Sequence, residues 1–176
     1  MHKNMQIEKF IHAIPDYPKP GIVFRDITPL LADGDAFRET IAIFADRYRD
    51  QGITKIVGIE ARGFIFATAL AYAMGIGFVP LRKPGKLPRE TVSQSYALEY
   101  GEDRLELHAD DLAAHDKVVV IDDLLATGGT ILAAVEMLKK LQVTIVECAF
   151  VIQLNDLPGP KRLQQASIPY YTLCSF

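Results

Sequence analysis

The sequence predicts an α/β fold: a doubly wound, mainly parallel sheet with helices on both faces, plus an inserted antiparallel flap. Three observations predict it. Short apolar runs without alternation recur along the chain: KIVGIE from Lys55, GFVPL from Gly77, KVVVIDD from Lys117, TIVECAFVIQL from Thr144 and YYTLC from Tyr170. Such runs describe strands buried on both faces of a parallel sheet. Helical stretches separate them, and the length of 176 residues suits one domain.

The elements follow in chain order. Residues 5–14 (MQIEKFIHAI) read as a short amphipathic helix with Ile7, Phe10, Ile11 and Ile14 on one face. Pro15, Pro18, Pro20 and Gly21 then argue against regular structure. Over 35–50, Phe37, Ile41, Phe44 and Tyr48 fall at i, i+4, i+7 and i+11, a helix with one buried stripe that Gly52 ends. Helices are also expected over Gly63–Met74 and from about Gly129 to Leu141. Residues 83–108 break the rhythm. Tyr96, Leu98 and Tyr100 alternate, then Leu105 and Leu107 alternate after Gly101-Glu102-Asp103. That pattern is an antiparallel hairpin, polar on one side, read as a flap.

Hydrophobic residues make up 49% and charged residues 23%, a balance that argues against disorder. The net charge of −3 and pI of about 5.8 disfavour nucleic acid as a partner. No run reaches the roughly 20 apolar residues of a membrane span, and the N-terminal stretch with His2 and Lys3 carries no apolar run long enough for a signal sequence. The expectation is a cytoplasmic protein with two reduced, buried thiols, Cys148 and Cys174. One local cluster stands out: Arg82-Lys83-Pro84-Gly85-Lys86, with no acid until Glu90. On residues alone it is either a solvated loop or a site for a small anion.

The segment Val118–Thr130, VVVIDDLLATGGT, carries the chemistry. Ligands of open α/β sheets bind at the carboxyl ends of strands, where Asp122 and Asp123 stand. Ala126, Thr127, Gly128, Gly129 and Thr130 then turn into a helix. The glycines let backbone approach a ligand, the threonines offer hydroxyls, and free N–H groups of the new helix suit a phosphate. The two carboxylates cannot bind phosphate; their partners are sugar hydroxyls or a hydrated metal. A phosphate site beside a diol site describes ribose 5-phosphate. The glycine spacing fits neither the dinucleotide nor the P-loop pattern.

VVVIDDLLATGGT resembles the phosphoribosyl pyrophosphate signature of type I phosphoribosyltransferases, with Leu124-Leu125 like the adenine phosphoribosyltransferase form. The resemblance to that family extends through PGIVFRDITPLL at 20–31, GIEARGFIFATALAYAMGIGFVPLRKPGKLP at 58–88 and SYALEYG at 95–101. It implies an enzyme of purine salvage that joins adenine to phosphoribosyl pyrophosphate, giving AMP and pyrophosphate. It also implies a homodimer and Mg²⁺ held mainly by pyrophosphate and water, with no direct protein ligand.

The other candidate residues take their roles from this resemblance. Glu60-Ala61-Arg62 follows a strand and opens a helix. On residues alone Arg62 suits pyrophosphate or a surface ion pair. In the resembled family this turn contacts pyrophosphate, often through a non-proline cis peptide. Many members have serine where this chain has Ala61; a backbone contact would survive that change and a hydroxyl contact would not. The resemblance adds Arg82, Lys83 and Lys86 to the pyrophosphate site, with Arg82 reaching toward a neighbouring subunit. It places Phe24 against adenine, Val23 and Arg25 on its Watson–Crick edge through backbone, and Leu154 over its other face. Adenine's N6 donor and N1 acceptor complement a C=O and an N–H, and 6-oxopurines invert that pattern. Glu99, near N7, and Arg62 are the expected catalytic residues, with Tyr100 on the flap. Within one domain of 1–176, residues 1–34 form the expected base-binding region and 83–108 the flap.

Overall fold

The computed structural model describes residues 6–97 and 102–176. Glu99 and Tyr100, at the tip of the expected flap, lie outside the described residues.

Five parallel strands form the central sheet: β3 (Lys55–Ile59), β4 (Gly77–Leu81), β7 (Lys117–Leu125), β8 (Thr144–Gln153) and β9 (Tyr170–Ser175). Their spatial order is β4-β3-β7-β8-β9. The chain winds outward from β3 to β4 and, in the other direction, from β7 to β8 and β9. The direction reverses between β3 and β7, so the carboxyl ends of those two strands flank a crevice. β7 is buried at Val118–Ile121, as its run of β-branched residues requires.

Both faces of the sheet are covered. On one side Val119, Ile121 and Val151 meet α2 (Gly34–Tyr48) and α3 (Gly63–Met74) through Phe44, Tyr48, Phe66 and Leu70. On the other, Val57, Val118, Val120 and Phe150 meet α4 (Gly129–Lys140) through Ile131, Ala134, Val135 and Leu138. Asp33 caps α2 by accepting from the N–H groups of Asp35 and Ala36. Gly75, in the left-handed conformation at φ 67°, ends α3. Cys148 and Cys174 are free and buried, as expected.

The N-terminal segment differs from the helix expected over 5–14. Only Ile7–Phe10 turn, as a single 3₁₀ helix, and β1 (His12–Pro15) then pairs antiparallel with β2 (Val23–Asp26). Ile7 and Ile11 are buried, but Ile14 is exposed. Pro15 ends β1 opposite Val23, a tolerated place at a strand terminus. Two short helices were not expected, α1 (Thr28–Ala32) and α5 (Gly159–Gln165).

The hairpin is β5 (Thr91–Ala97) with β6 (Glu102–His108), paired from Thr91↔His108 to Ala97↔Glu102. It is not polar on one side throughout. Leu105 and Leu107 are fully buried in the α4 side of the core, and Glu106 and His108, which alternate with them, are buried too. The reason is a junction with the main sheet. Arg82 and Glu106 exchange backbone hydrogen bonds of 2.9 and 2.8 Å, so the root of the hairpin continues the edge beyond β4.

Candidate active site

The phosphate loop leaves β7 and enters α4 through Gly128, whose φ of 82° only glycine adopts without strain. Ala126, Thr127, Gly128, Thr130 and Asp122 line a cavity of about 70 Å³, closed behind by Ile131 and Phe150. Gly63 at the start of α3 meets the same strand end. A Cβ there would lie 2.9 Å from an Asp122 oxygen and 3.0 Å from the Ile121 carbonyl. Only glycine allows α3 to begin so near Asp122.

The two carboxylates are set differently. Asp122 borders the phosphate cavity and accepts the Asp123 N–H at 2.8 Å. Asp123 is buried, with its carboxylate 2.9 Å from the Arg62 guanidinium. Burial pushes the Asp122 carboxyl well above the ordinary carboxylate range, and the neighbouring Asp123 charge adds to this. Burial also raises Asp123, against the opposing pull of Arg62. Two desolvated carboxyls side by side are acceptors with capacity beyond these contacts, which suits a ribose diol.

Glu60 stands across the crevice at the end of β3, its peptide bond to Ala61 cis. The expectation grouped Glu60 with the anion-binding residues. Its buried carboxylate instead gathers donors: Arg82 Nε at 2.8 Å, Lys86 Nζ at 2.6 Å and the Lys83 N–H at 3.2 Å. Burial pushes its pKa up, but these three hydrogen bonds outweigh it and hold the carboxyl below its usual value. Glu60 thus gives a basic loop one fixed geometry. Lys83 turns outward to the hairpin, where Nζ meets the Tyr96 hydroxyl at 2.7 Å and the Asp103 carboxylate.

Phe24 in β2 makes an edge contact with Tyr17, ring centres 5.2 Å apart, and Arg62 lies 5.3 Å from the Phe24 ring centre. Ile14, Tyr17, Phe24, Asp26 and Thr28 border an open pocket of about 280 Å³. The Arg25 guanidinium stacks 4.2 Å from the Phe176 ring centre. Leu154 follows β8, and its N–H donates to the Leu125 carbonyl at 3.1 Å, at the entry to the phosphate loop. The structure therefore brings Phe24, Arg62 and Asp123 into one chain of contacts, and Glu60, Arg82, Lys83 and Lys86 into another.

Sequence reasoning missed the underside of the phosphate loop. The Gly159 N–H donates to the Ala126 carbonyl at 2.9 Å, and Arg162 Nη1 to the Thr127 carbonyl at 2.9 Å. Pro158-Gly159-Pro160 is a local breaker pattern, and no sequence pattern links it to residues 126–127.

This fold and crevice define a phosphoribosyltransferase: the phosphoribosyl transferase domain model matches residues 28–168. The adenine phosphoribosyltransferase of Shewanella woodyi is 58% identical over 170 residues, covering 97% of this chain and 94% of the relative. The solved adenine phosphoribosyltransferase of Thermoanaerobacter pseudethanolicus superposes with a TM-score of 0.91 at 45% identity, covering 97% of this chain and 98% of that one. That of Saccharomyces cerevisiae, solved with an imino-altritol bisphosphate and adenine, gives 0.89 at 37% identity, covering 96% of each chain. The chain belongs to the adenine phosphoribosyltransferase family of phosphoribosyltransferases.

Proposed function

We propose that this chain transfers the phosphoribosyl group of phosphoribosyl pyrophosphate to N9 of adenine, releasing AMP and pyrophosphate. One observation carries the reading: a small cavity bordered by Asp122 and residues 126–130 lies at the end of β7, and Glu60, at the end of the neighbouring β3, holds a cluster of cations. A donor with a 5-phosphate at one end and a pyrophosphate at the other spans such a site. The family relationship supplies the acceptor base.

In the reaction the C1′–oxygen bond to pyrophosphate breaks, the C1′–N9 bond forms, and N9 gives up its proton. The transition state resembles an oxocarbenium ion, as in glycosyl transfer generally. No protein nucleophile is needed. Residues 126–130 hold the 5-phosphate by backbone N–H groups and threonine hydroxyls. Asp122 and Asp123 accept from the ribose hydroxyls. Arg62, Arg82, Lys83 and Lys86, with backbone at Ala61, neutralise the leaving pyrophosphate. Glu60 acts on that group through the cations it orients, because two anions would repel. Phe24 stacks on adenine beneath Leu154, with Val23 and Arg25 reading its edge. Glu99, from the flap, serves base N7 beside Tyr100. The base-binding region ends at residue 34, and the flap occupies 83–108 of a single working domain.

Mg²⁺, bound to pyrophosphate, supplies further neutralisation of the leaving group. Among the described residues no three His, Cys, Asp or Glu side chains lie together as metal ligands.

The enzyme works as a cytoplasmic homodimer in purine salvage. Among the described residues no helix is long and apolar enough to cross a membrane. The dimer reading rests on α3, which is apolar almost all round. Ile65, Thr68, Tyr72 and Ala73 form its exposed face, with Tyr72 90% exposed. An unpartnered apolar stripe of this kind marks an interface.

Incubation with adenine, phosphoribosyl pyrophosphate and Mg²⁺ should yield AMP, read by chromatography. No turnover of adenine, alongside turnover of hypoxanthine, guanine or orotate, would overturn the proposal.

A further inference from the structure

We infer that Gly159 and Arg162 are positioning residues for donor binding: they aim the N–H groups of the phosphate loop into its cavity. The inference rests on the phosphate-loop reading above. A trans peptide unit points its C=O and its N–H in opposite directions. Among the described residues only the Tyr17–Pro18 and Glu60–Ala61 bonds are cis, so the units 126–127 and 127–128 are trans. The Ala126 carbonyl is captured by the Gly159 N–H and the Thr127 carbonyl by the Arg162 guanidinium, each at 2.9 Å. Both captors belong to α5, behind the loop. With both carbonyls drawn back to α5, the paired N–H groups of Thr127 and Gly128 turn the other way, away from α5, and both residues line the cavity with Asp122 and Thr130 whereas Gly159 and Arg162 do not.

The fit is too close for any residue but glycine at 159. A Cβ there would stand 2.3 Å from the Ala126 carbonyl oxygen and 2.9 Å from a Leu125 methyl. Gly128 is constrained from its own side: a Cβ would lie 3.1 Å from the Gly159 Cα. The loop and the start of α5 are shaped to each other backbone to backbone. Arg162, unlike Gly159, is exposed and buries no core surface. Its removal frees the Thr127 carbonyl to turn, and with it the amide of Gly128, without opening the fold.

The test is steady-state kinetics of Arg162→Met beside wild type, varying each substrate. Loss of a charge-assisted hydrogen bond that fixes an anion-binding amide is expected to raise the donor KM about ten-fold. The adenine KM and Tm should stay at wild-type values, and the ratio of the two donor KM values should not change between low and high salt. A donor KM within two-fold of wild type overturns the inference. So does a ratio that collapses in high salt, because Arg162 would then act as a distant screened charge. Gly159→Ala should raise the donor KM further and leave the adenine KM alone; an equal rise in both overturns the inference. Gly128→Ala separates the two levels of argument: an unchanged donor KM there would overturn the phosphate-loop reading itself, whatever Arg162 does.

Discussion

The Arg62 guanidinium sits 2.9 Å from the Asp123 carboxylate and 5.3 Å from the centre of the Phe24 ring. One side chain therefore links the Asp123 carboxylate to the Phe24 ring. Asp122, the preceding residue of β7, feels Arg62 only as a weaker pull, and burial raises its carboxyl well above the ordinary range. A carboxyl raised on folding keeps its proton longer in the native state. The fold therefore has its full stability below the unfolded pKa of about 4 and loses some as pH rises toward the folded value. At neutral pH the charged pair opposes folding. Asp122→Asn is expected to raise Tm by a few degrees at neutral pH, with the gain shrinking in acid. Its kcat/KM should fall about 100-fold or more. Melting curves across pH, paired with kinetics, check both halves. A lower Tm at neutral pH would show that the carboxylate is satisfied in place.

Glu60 carries the opposite sign. Burial pushes its carboxyl up, but hydrogen bonds from Lys86, Arg82 and the Lys83 N–H hold it below its usual value. A carboxyl lowered on folding stabilises the native state above its unfolded pKa, and that contribution disappears as pH falls through the folded value. Glu60→Gln keeps the shape and removes the charge that gathers Arg82 and Lys86. The donor KM should rise about ten-fold at neutral pH. Tm should change little, because both cations remain partly solvated, at 34% and 49% side-chain exposure. An unchanged donor KM would show that the cations reach pyrophosphate without Glu60.

Far from the crevice, Glu147 on β8 joins α2 to the sheet. Arg47 donates to both carboxylate oxygens, at 2.7 and 2.8 Å, and the buried Tyr48 hydroxyl donates at 2.7 Å. Arg47 also lies 3.9 Å from the Tyr171 ring centre on β9. Burial, then the hydrogen bond to Glu147, raises the Tyr48 hydroxyl pKa, so it stays a donor at any working pH. Removing one member of such a buried set typically costs about 3 kcal/mol. In a chain of this size that corresponds to a fall in Tm of roughly 10 °C. Glu147→Ala should show that fall by calorimetry, with both KM values unchanged at temperatures where the variant is folded. A kinetic effect without a stability effect would contradict a purely structural role.

What the sequence revealed follows from the range of the interactions. Residues 117–125 could be read because β-branched runs and terminal carboxylates are local signals, and the loop after them carries its chemistry in adjacent residues. The segment 5–14 was misread for the same reason. Ile7 and Ile11 fit a helical stripe, while the pairing of His12–Pro15 with Val23–Asp26 depends on a partner strand across a turn. Glu60 drew its expected role from the turn it begins; the cations it holds come from 22 to 26 residues later. Arg162 reaches a backbone carbonyl 35 residues away. A carbonyl has no residue type, so no pattern of letters could announce that contact.

The exposed face of α3 gives the last prediction. Tyr72 is 90% exposed, and Ile65 is 38% exposed on the same helix side. Ala69, Tyr72 and Ala73 meet Phe37 and Ile41 of α2 along an open groove of about 420 Å³. α3 also opens at Arg62, and Phe64 in its first turn lies 6.0 Å from the Arg82 guanidinium. An interface on this face would therefore bear directly on the pyrophosphate end of the crevice. Tyr72→Glu puts a charge on the apolar stripe, where desolvating it opposes association. By light scattering the wild type should have twice the chain mass and the variant the mass of one chain. Activity per chain should fall on dilution, and fall further in the variant, since the partner would no longer brace the helix that opens at Arg62 beside the crevice. A variant that stays dimeric with unaltered kcat would move the interface elsewhere on the molecule.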